Sequence, residues 1–468
     1  MAAILGTMER YDMLVGYYIF GDRDIELDLK HLENNCAIVG LEDRFARLKE
    51  KTKFIDLYKI FSNRVVQGFL QATYDTDYRG YGLDEVAAAY LQNGERKLDG
   101  LSGLDIESES ADKQLEYCLQ DAQLCMKLLQ KRNYELLQIL YNISKEVNLS
   151  FFDTCNSGST LQWWTSKLRS VNYPEDNRDS KWIRSNITKD KTGKKKGIKY
   201  TGGRVLEPVA GMHIGAKTYD VSSMYPSMSI VHNISSETVN CECCKTDPEA
   251  KILPEVMQEI NKELDTPRPW GSYSICRKQR GKLSKIMEDL LQKKEEYKAQ
   301  GLTLKEKSIK LLMNSGYGTF GQVYFKYYDP RVAELITGFA RYTLDSLVKF
   351  VNGNGGKILF GDTDSIFTAG DNNDTNNRRI DIVSEAKELL LLTLPVILFD
   401  SNNADDLQLS VGASDRHTML SGIDYEQTIK QDNVDLVAQT PGATLVQAFI
   451  MPPYFFFICA LFSFTISL

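Results

Sequence analysis

The chain has 468 residues with 56 Lys/Arg against 63 Asp/Glu, a formal charge of −7, and 43% hydrophobic residues. That length holds two to four domains' worth of core, and no internal repeat or long disordered tract interrupts it. The acidity, taken alone, argues against a nucleic-acid partner, but residues 369–468 carry 13 Asp/Glu and 5 Lys/Arg, a balance of −8, which leaves residues 1–368 at +1 with local basic clusters.

Strand-like pieces such as Thr52–Asp56 alternate with helical ones over residues 1–130. Glu9-Arg-Tyr-Asp12-Met13 precedes Asp43-Arg-Phe45 and Phe54-Ile-Asp-Leu-Tyr58. Further on, Glu116–Asp121 opens a helical stretch, Ala122–Leu129, so Tyr117 and Asp121 lie four apart on one face. Asp24-Ile-Glu26 and Asp105-Ile-Glu107 are two acidic pairs in the same region. As isolated features, all these acids read as ordinary surface charges. Residues 131–199 form a mixed connecting region. Its end, Lys181–Lys199, has eight Lys/Arg against the single acid Asp190, which reads as a flexible phosphate-contacting loop or, as a bare charge run, a solvated one.

Tyr200-Thr-Gly202-Gly203-Arg204 comes next, with glycines that let backbone approach a ligand closely. Thr218-Tyr219 then leads into a lone acid, Asp220, and a turn, Val-Ser-Ser223-Met224-Tyr225-Pro226. Of the nine cysteines, Cys241, Cys243, Cys244 and Cys276 could supply four thiolates to a structural Zn²⁺. The adjacency of Cys243 and Cys244 is awkward for a C-x₂-C knuckle, and the favoured reading is ordinary reduced thiols. The four histidines have no triad-like partner.

A basic helix is expected from Arg277 through Lys298, followed by Lys310-Leu-Leu-Met-Asn314-Ser-Gly-Tyr317-Gly. Lys310, Asn314 and Tyr317 fall at i, i+4 and i+7, one face of a helix. Gly361-Asp362-Thr363-Asp364-Ser365 sits between the apolar runs Lys357–Phe360 and Ile366–Thr368, a hairpin pattern. In extended chain, i and i+2 share a face, so Asp362 and Asp364 are expected to project together. Two carboxylates that close repel, and hard divalent cations, which take oxygen ligands, relieve that repulsion. The competing reading is an acidic turn with solvated side chains.

A helix is expected at 380–394. Beyond Asp364 the only lysines are Lys387 and Lys430, and from Leu436 onward there is no charge. Tyr454–Phe464 is apolar, yet only 15 residues follow Pro452-Pro453, short for a span, and no basic flank or secretory signal accompanies it. No membrane attachment is expected, and a reducing cytoplasm suits the cysteines.

A lone Asp, then Lys/Asn/Tyr on a helix, then Asp-x-Asp, in that order, resembles the palm and fingers of family B DNA-dependent DNA polymerases of archaeal and viral kind. The resemblance implies an α+β right-hand fold: a partial RNase H-like α/β 3′–5′ exonuclease domain at 1–130, a connecting region at 131–199, palm at 200–270 and 326–400, fingers at 271–325, and a degenerate or missing thumb at 401–468. It implies DNA-directed DNA polymerase activity with two Mg²⁺ ions held by Asp220, Asp362 and Asp364. Lys310 would neutralise the triphosphate beside Asn314, with Tyr317 against the nascent base pair. Ser223 and Met224 would offer backbone N–H groups to phosphate, and Tyr225 would exclude a 2′-hydroxyl. Lys294 and Lys298 stand where the family carries an Arg and a Lys on the triphosphate, and a lysine at 294 lacks the arginine fork. Tyr200, Gly202, Gly203 and Thr363 would contact DNA.

Asp12, Tyr117 and Asp121 resemble exonuclease residues, with Thr7 replacing the family's Asn before Asp12. The first Asp-x-Glu of that site is missing, because both look-alikes follow Asp12. An impaired proofreading site is expected, with residue 1 falling inside a longer exonuclease domain. The partners implied are primer–template DNA and dNTPs, with a sliding clamp as a further candidate. The alternatives are a non-catalytic DNA-binding polymerase relic, disfavoured by the retained acids and Lys310, and an RNA-making or reverse-transcribing palm, disfavoured by Tyr225 and the Lys310/Asn314 helix.

Overall fold

The computed structural model describes residues 1–20, 28–92, 94–97, 109–177, 179–213, 217–221, 223–262, 268–269, 271–353, 355–369, 423–424 and 448–450. The expected helix at 380–394, the apolar stretch 454–464 and the pairs Asp24/Glu26 and Asp105/Glu107 lie outside the described residues. Among those described, no helix is long and apolar enough to cross a membrane. Many helices and few strands make up two compact units, one of residues 1–173, 290–319 and 324–326, the other of the remainder.

In the first unit, strands β1 (Met13–Gly16) and β2 (Lys53–Asp56) pair in parallel, Met13 opposite Lys53. Asn156 closes one edge of β2, accepting from Asp56 N–H at 2.9 Å and donating to Phe54 C=O at 2.8 Å. The buried Asp56 carboxylate receives the backbone N–H groups of Tyr18 and Tyr58 at 2.6 and 3.0 Å, and burial raises its pKa. The Glu135–Val147 helix buries Leu136, Ile139, Leu140, Ile143 and Val147, the spacing of one helical face. Trp163 and Trp164 are fully buried. Their indole N–H groups donate to Thr154 C=O and Ser315 Oγ, so neither is left unsatisfied.

The second unit holds the basic stretch after residue 180. It is a short helix, Ser180–Ser185, and a hairpin of β3 (Thr188–Lys189) and β4 (Lys195–Lys196), not the expected loop. Asp190 makes the turn by accepting from the backbone N–H of Thr192 and Lys194, and the Thr192 hydroxyl leads the contacts that lower its pKa. The central sheet is antiparallel. Its strands are β5 (Val205–Leu206), β7 (Lys217–Val221), β8 (Ile358–Asp362), β9 (Ser365–Thr368) and β10 (Ile423–Asp424), in the order β10-β7-β9-β8-β5. Two further strands, β6 (Gly211–His213) and β11 (Ala448–Ile450), pair separately. Along β8 and β9, Leu359, Gly361, Ile366 and Thr368 are buried. Ile366 packs with Leu344, Leu347 and Val351 of the Pro330–Gly353 helix. Gly338 of that helix allows the Pro254–Asn261 helix to come close, since a Cβ there would stand 2.6 Å from Ile260 Cγ1.

Three buried guanidinium groups brace this unit. Arg331 is fully buried and donates to Asp329 at 2.7 and 2.9 Å and to Asp179 at 2.7 Å. Arg268 pairs with buried Glu334 at 2.7 Å, and Tyr273 O–H also donates to Glu334. Arg341 donates to the carbonyls of Thr201, Gly202 and Glu259. A buried ion pair adds little against an apolar replacement of the whole pair, but removing one partner strands the other charge. Arg331→Leu is therefore expected to lower the stability of this unit by about 3–5 kcal/mol, read as a fall in the urea midpoint. Arg331→Lys should recover only part of the loss, because an ammonium cannot reproduce the fork.

Candidate active site

The hairpin expected at residues 357–368 is present, but its tip differs from a continued strand. β8 ends at Asp362 and β9 begins at Ser365, leaving Thr363 and Asp364 as a two-residue turn. Thr363 has φ 56°, and Asp364 N–H bonds back to Asp362 C=O at 2.6 Å. Asp362 and Asp364 are thus not successive same-face positions of one strand. Their proximity comes from the tightness of the turn.

The register supplies the third acid. Asp220 of β7 stands opposite Ser365, and Ser365 on its other side stands opposite Asp362. Val221 N–H donates to Asp364 C=O at 2.8 Å, tying the end of β7 to the turn. Asp220 and the Asp362/Asp364 pair, distant in sequence, are therefore gathered at one end of three adjacent strands. Asp424 of β10 occupies the register position beyond Asp220, which the sequence reading did not single out. Asp362 is exposed, accepts the Thr363 hydroxyl at 2.9 Å and has no basic partner among the described residues. A carboxylate without a basic partner fits a hard divalent cation.

Ser223, in the left-handed region at φ 52°, caps the Met224–Val231 helix that starts directly after β7. The N–H groups of Met224 and Tyr225 belong to its first turn, where the helix gives them no acceptor. Tyr225 meets the Tyr200–Arg204 segment at Gly203. A Cβ on Gly203 would lie 2.8 Å from both Tyr225 Oη and Thr363 Oγ1, so only a glycine lets backbone pass between them. Arg204 C=O accepts Thr363 N–H at 2.7 Å, and Arg204 pairs with Asp345 at 3.0 Å. Tyr200 packs against Gly321. The carbonyls of Lys199, Thr201 and Gly202 are drawn inward by Arg268 and Arg341. Neither arginine was identified from the sequence, since nothing local marks a donor that acts from 69 or 140 residues away.

Lys310, Asn314 and Tyr317 lie on the Thr303–Phe320 helix. Lys310 and Asn314 are exposed and Tyr317 is half-buried, while Ile309, Leu311, Leu312, Met313 and Ser315 are buried, so the i, i+4, i+7 stripe is the accessible face. Asn142 Nδ2 donates to Ser308 Oγ, and Lys307 pairs with Glu135 at 2.9 Å, which fixes the helix rotation. The preceding helix is Lys282–Ala299, shorter than expected. Arg277 instead pairs with Glu249, and Arg280 donates to Ile230 C=O and Glu288. On this helix Lys298 is exposed, whereas Lys294 is buried and pairs with Glu295 at 3.3 Å.

The exonuclease-like residues divide. Asp12 is exposed just ahead of β1, and the Ala111–Gln130 helix bearing Tyr117 and Asp121 packs on β1. Lys97, not identified beforehand, fills the space between the last two: its ammonium is 2.7 Å from Asp121 and donates to Tyr117 Oη at 2.7 Å. Burial opposes the lysine's charge, but these hydrogen bonds outweigh it and raise its pKa. The ammonium takes Asp121 Oδ2, while Asp121 Oδ1 is buried without a hydrogen-bond partner, so a cation at this carboxylate would sit beside a lysine.

The four clustered cysteines of the sequence are gathered in one place, as free thiols. Cys241, Cys243, Cys244 and Cys276 come together with all four sulfurs within 4.8 Å of one another. The Glu242–Cys244 turn is a 3₁₀ turn, which brings adjacent Cys243 and Cys244 to the same side, while Cys241 and Cys244 keep the C-x₂-C spacing.

Residues 176–392 match the model of the family described as DNA polymerase family B. DNA polymerase 1 of Sulfurisphaera ohwakuensis is 31% identical over 334 residues, covering 67% of this chain and 35% of that protein. DNA polymerase 1 of Aeropyrum pernix is 26% identical over 419 residues, covering 83% of this chain and 40% of that protein. The chain thus spans well under half the length of these relatives. The fold is similar to that of the family B DNA polymerase from Pyrobaculum calidifontis, with a TM-score of 0.54 at 20% identity, covering 83% of this chain and 48% of that one. Fold, motif order and sequence agree: the chain belongs, over residues 176–392, to DNA polymerase family B.

Proposed function

We propose that this chain is a template-directed DNA polymerase that joins a dNMP from a dNTP to a primer 3′-hydroxyl. The observation that carries the reading is the register of β7, β9 and β8, which gathers Asp220, Asp362 and Asp364 with no lysine or arginine on Asp362 among the described residues. These three residues would hold two Mg²⁺ ions, which when bound neutralise charge at the attacking hydroxyl and the departing pyrophosphate. In this reading residues 200–270 and 326–400 are palm, 271–325 fingers, 1–130 exonuclease-like, 131–199 connecting, and 401–468 stand in the thumb's place.

The chain's own groups do the positioning. The first-turn N–H groups after Ser223 face an anion, and Tyr225, held at Gly203, blocks a 2′-hydroxyl. The exposed Lys310 and Asn314 take the triphosphate, with Tyr317 against the base pair. Lys298 is the better placed of the two helix lysines for phosphate, because Lys294 is buried beside Glu295. The Tyr200–Gly203 segment, its carbonyls turned inward by arginines, presents backbone to DNA phosphate with Thr363 beside it. Proofreading is impaired, since Lys97 holds Asp121.

Primer extension by the full chain with Mg²⁺ on a defined template, comparing dNTPs with rNTPs, tests the reading. Extension with dNTPs is expected, and Asp362→Asn should reduce it at least ~10²–10³-fold. No extension with duplex binding retained would identify a DNA-binding relic instead, and preferential use of rNTPs would identify an RNA-making enzyme. Tyr225→Ala should raise rNTP use relative to dNTP use by about 10- to 200-fold, the range one added or missing group is worth in a pocket. With dNTPs withheld, a 5′-labelled single strand should stay intact over the time in which extension goes to completion. Its shortening from the 3′ end would show a working exonuclease.

A further inference from the structure

We infer that Cys241, Cys243, Cys244 and Cys276 form a structural zinc site that ties the loop after the Met224–Val231 helix to the chain entering the Lys282–Ala299 helix. Four thiolates around Zn²⁺ at about 2.3 Å put the sulfurs about 3.8 Å apart in a tetrahedron. Here Cys243 Sγ is 3.2 Å from Cys241, 3.4 Å from Cys276 and 3.9 Å from Cys244, and Cys244 is 3.9 Å from Cys276. A disulfide needs about 2.05 Å, and all four are free thiols. The spacing is that of ligands around a common centre.

The surroundings support the same assignment. Cys241, Cys244 and Cys276 are buried with Ala250, and Cys243 is exposed beside them. The two arms are also held without a metal. Val239 pairs with Ile275 and Lys251 with Ser274, and Cys276 N–H donates to Thr238 C=O at 2.8 Å. A preformed frame lowers the ordering cost of binding.

The site is independent of the polymerase reading, and its test reads metal rather than extension. The full chain, purified reduced from zinc-supplemented cells, is analysed for metal and for thiols under native and denaturing conditions. About one zinc per chain is expected. Cys276→Ser and Cys241→Ser should lose it, while Cys118→Ser, an exposed thiol outside the cluster, should keep it. If the cluster variants fail to fold, stripping the unaltered chain with a chelator and adding Co²⁺ should give the visible bands of tetrahedral cobalt thiolate. Absence of zinc with all nine thiols titratable, absence of zinc with thiols lost to a disulfide, or Co²⁺ spectra without thiolate bands would each overturn the assignment.

Discussion

The pairing of β7 with β9, and of β9 with β8, is the constraint on which the rest of the site depends. A strand's side chains alternate with a period of two, so a slip of one residue would carry every acid to the other face. Two features resist such a slip. The apolar residues of β8 and β9 that face the Pro330–Gly353 helix fix one face by burial. At the open end, where burial no longer helps, the bond from Val221 N–H to Asp364 C=O and the bond from Thr363 N–H to Arg204 C=O pin the turn from both sides. The irregularity between Ile358 and Phe360 lies at the far end of the hairpin, away from the acids.

Around that turn, buried charge acts as a brace. Arg268, Arg331 and Arg341 each satisfy several acceptors from different parts of the chain, and a planar fork can do this where an ammonium cannot. The consequence for the site is directional. By drawing the carbonyls of residues 199–202 inward, the arginines settle which side of the Tyr200–Arg204 backbone meets the core, and Gly203 then fits between Tyr225 and Thr363. Energy spent on burying guanidinium groups is recovered as a single arrangement of a segment that, being glycine-rich, would otherwise have many.

What could be read from the sequence was short-range chemistry. The apolar runs flanking Gly361–Ser365 gave the hairpin, and the i, i+4, i+7 spacing gave the accessible stripe of Lys310, Asn314 and Tyr317. What could not be read was set by partners far along the chain or by one unusual backbone angle. Thr363 at φ 56° turns an expected strand into a turn, and β-branched residues rarely adopt that region. Arg280 leaves the helix pattern because it reaches Ile230 C=O from 50 residues away. Asp190 converts a lysine run into a hairpin through a local turn that charge counting misses. Cys243 and Cys244 looked mutually awkward only while the chain around them was imagined extended or α-helical. The 3₁₀ turn removes the difficulty.

Two acidic constellations of similar residue type thus end in opposite electrostatic states. At Asp362 no lysine or arginine pairs with the carboxylate among the described residues, so a divalent ion there would displace no cation. At Asp121 a lysine is already in contact at 2.7 Å and also bonded to Tyr117. Two like charges 4 Å apart in a partly buried setting repel by about 4 kcal/mol per unit charge pair, and a divalent ion doubles that. A metal taking Asp121 Oδ2 would have to expel Lys97, which would give up two hydrogen bonds and a ring contact with Tyr117 at 4.6 Å. The residue types alone could not separate the two sites. The distinction rests on where one lysine, 24 positions before Asp121, comes to lie.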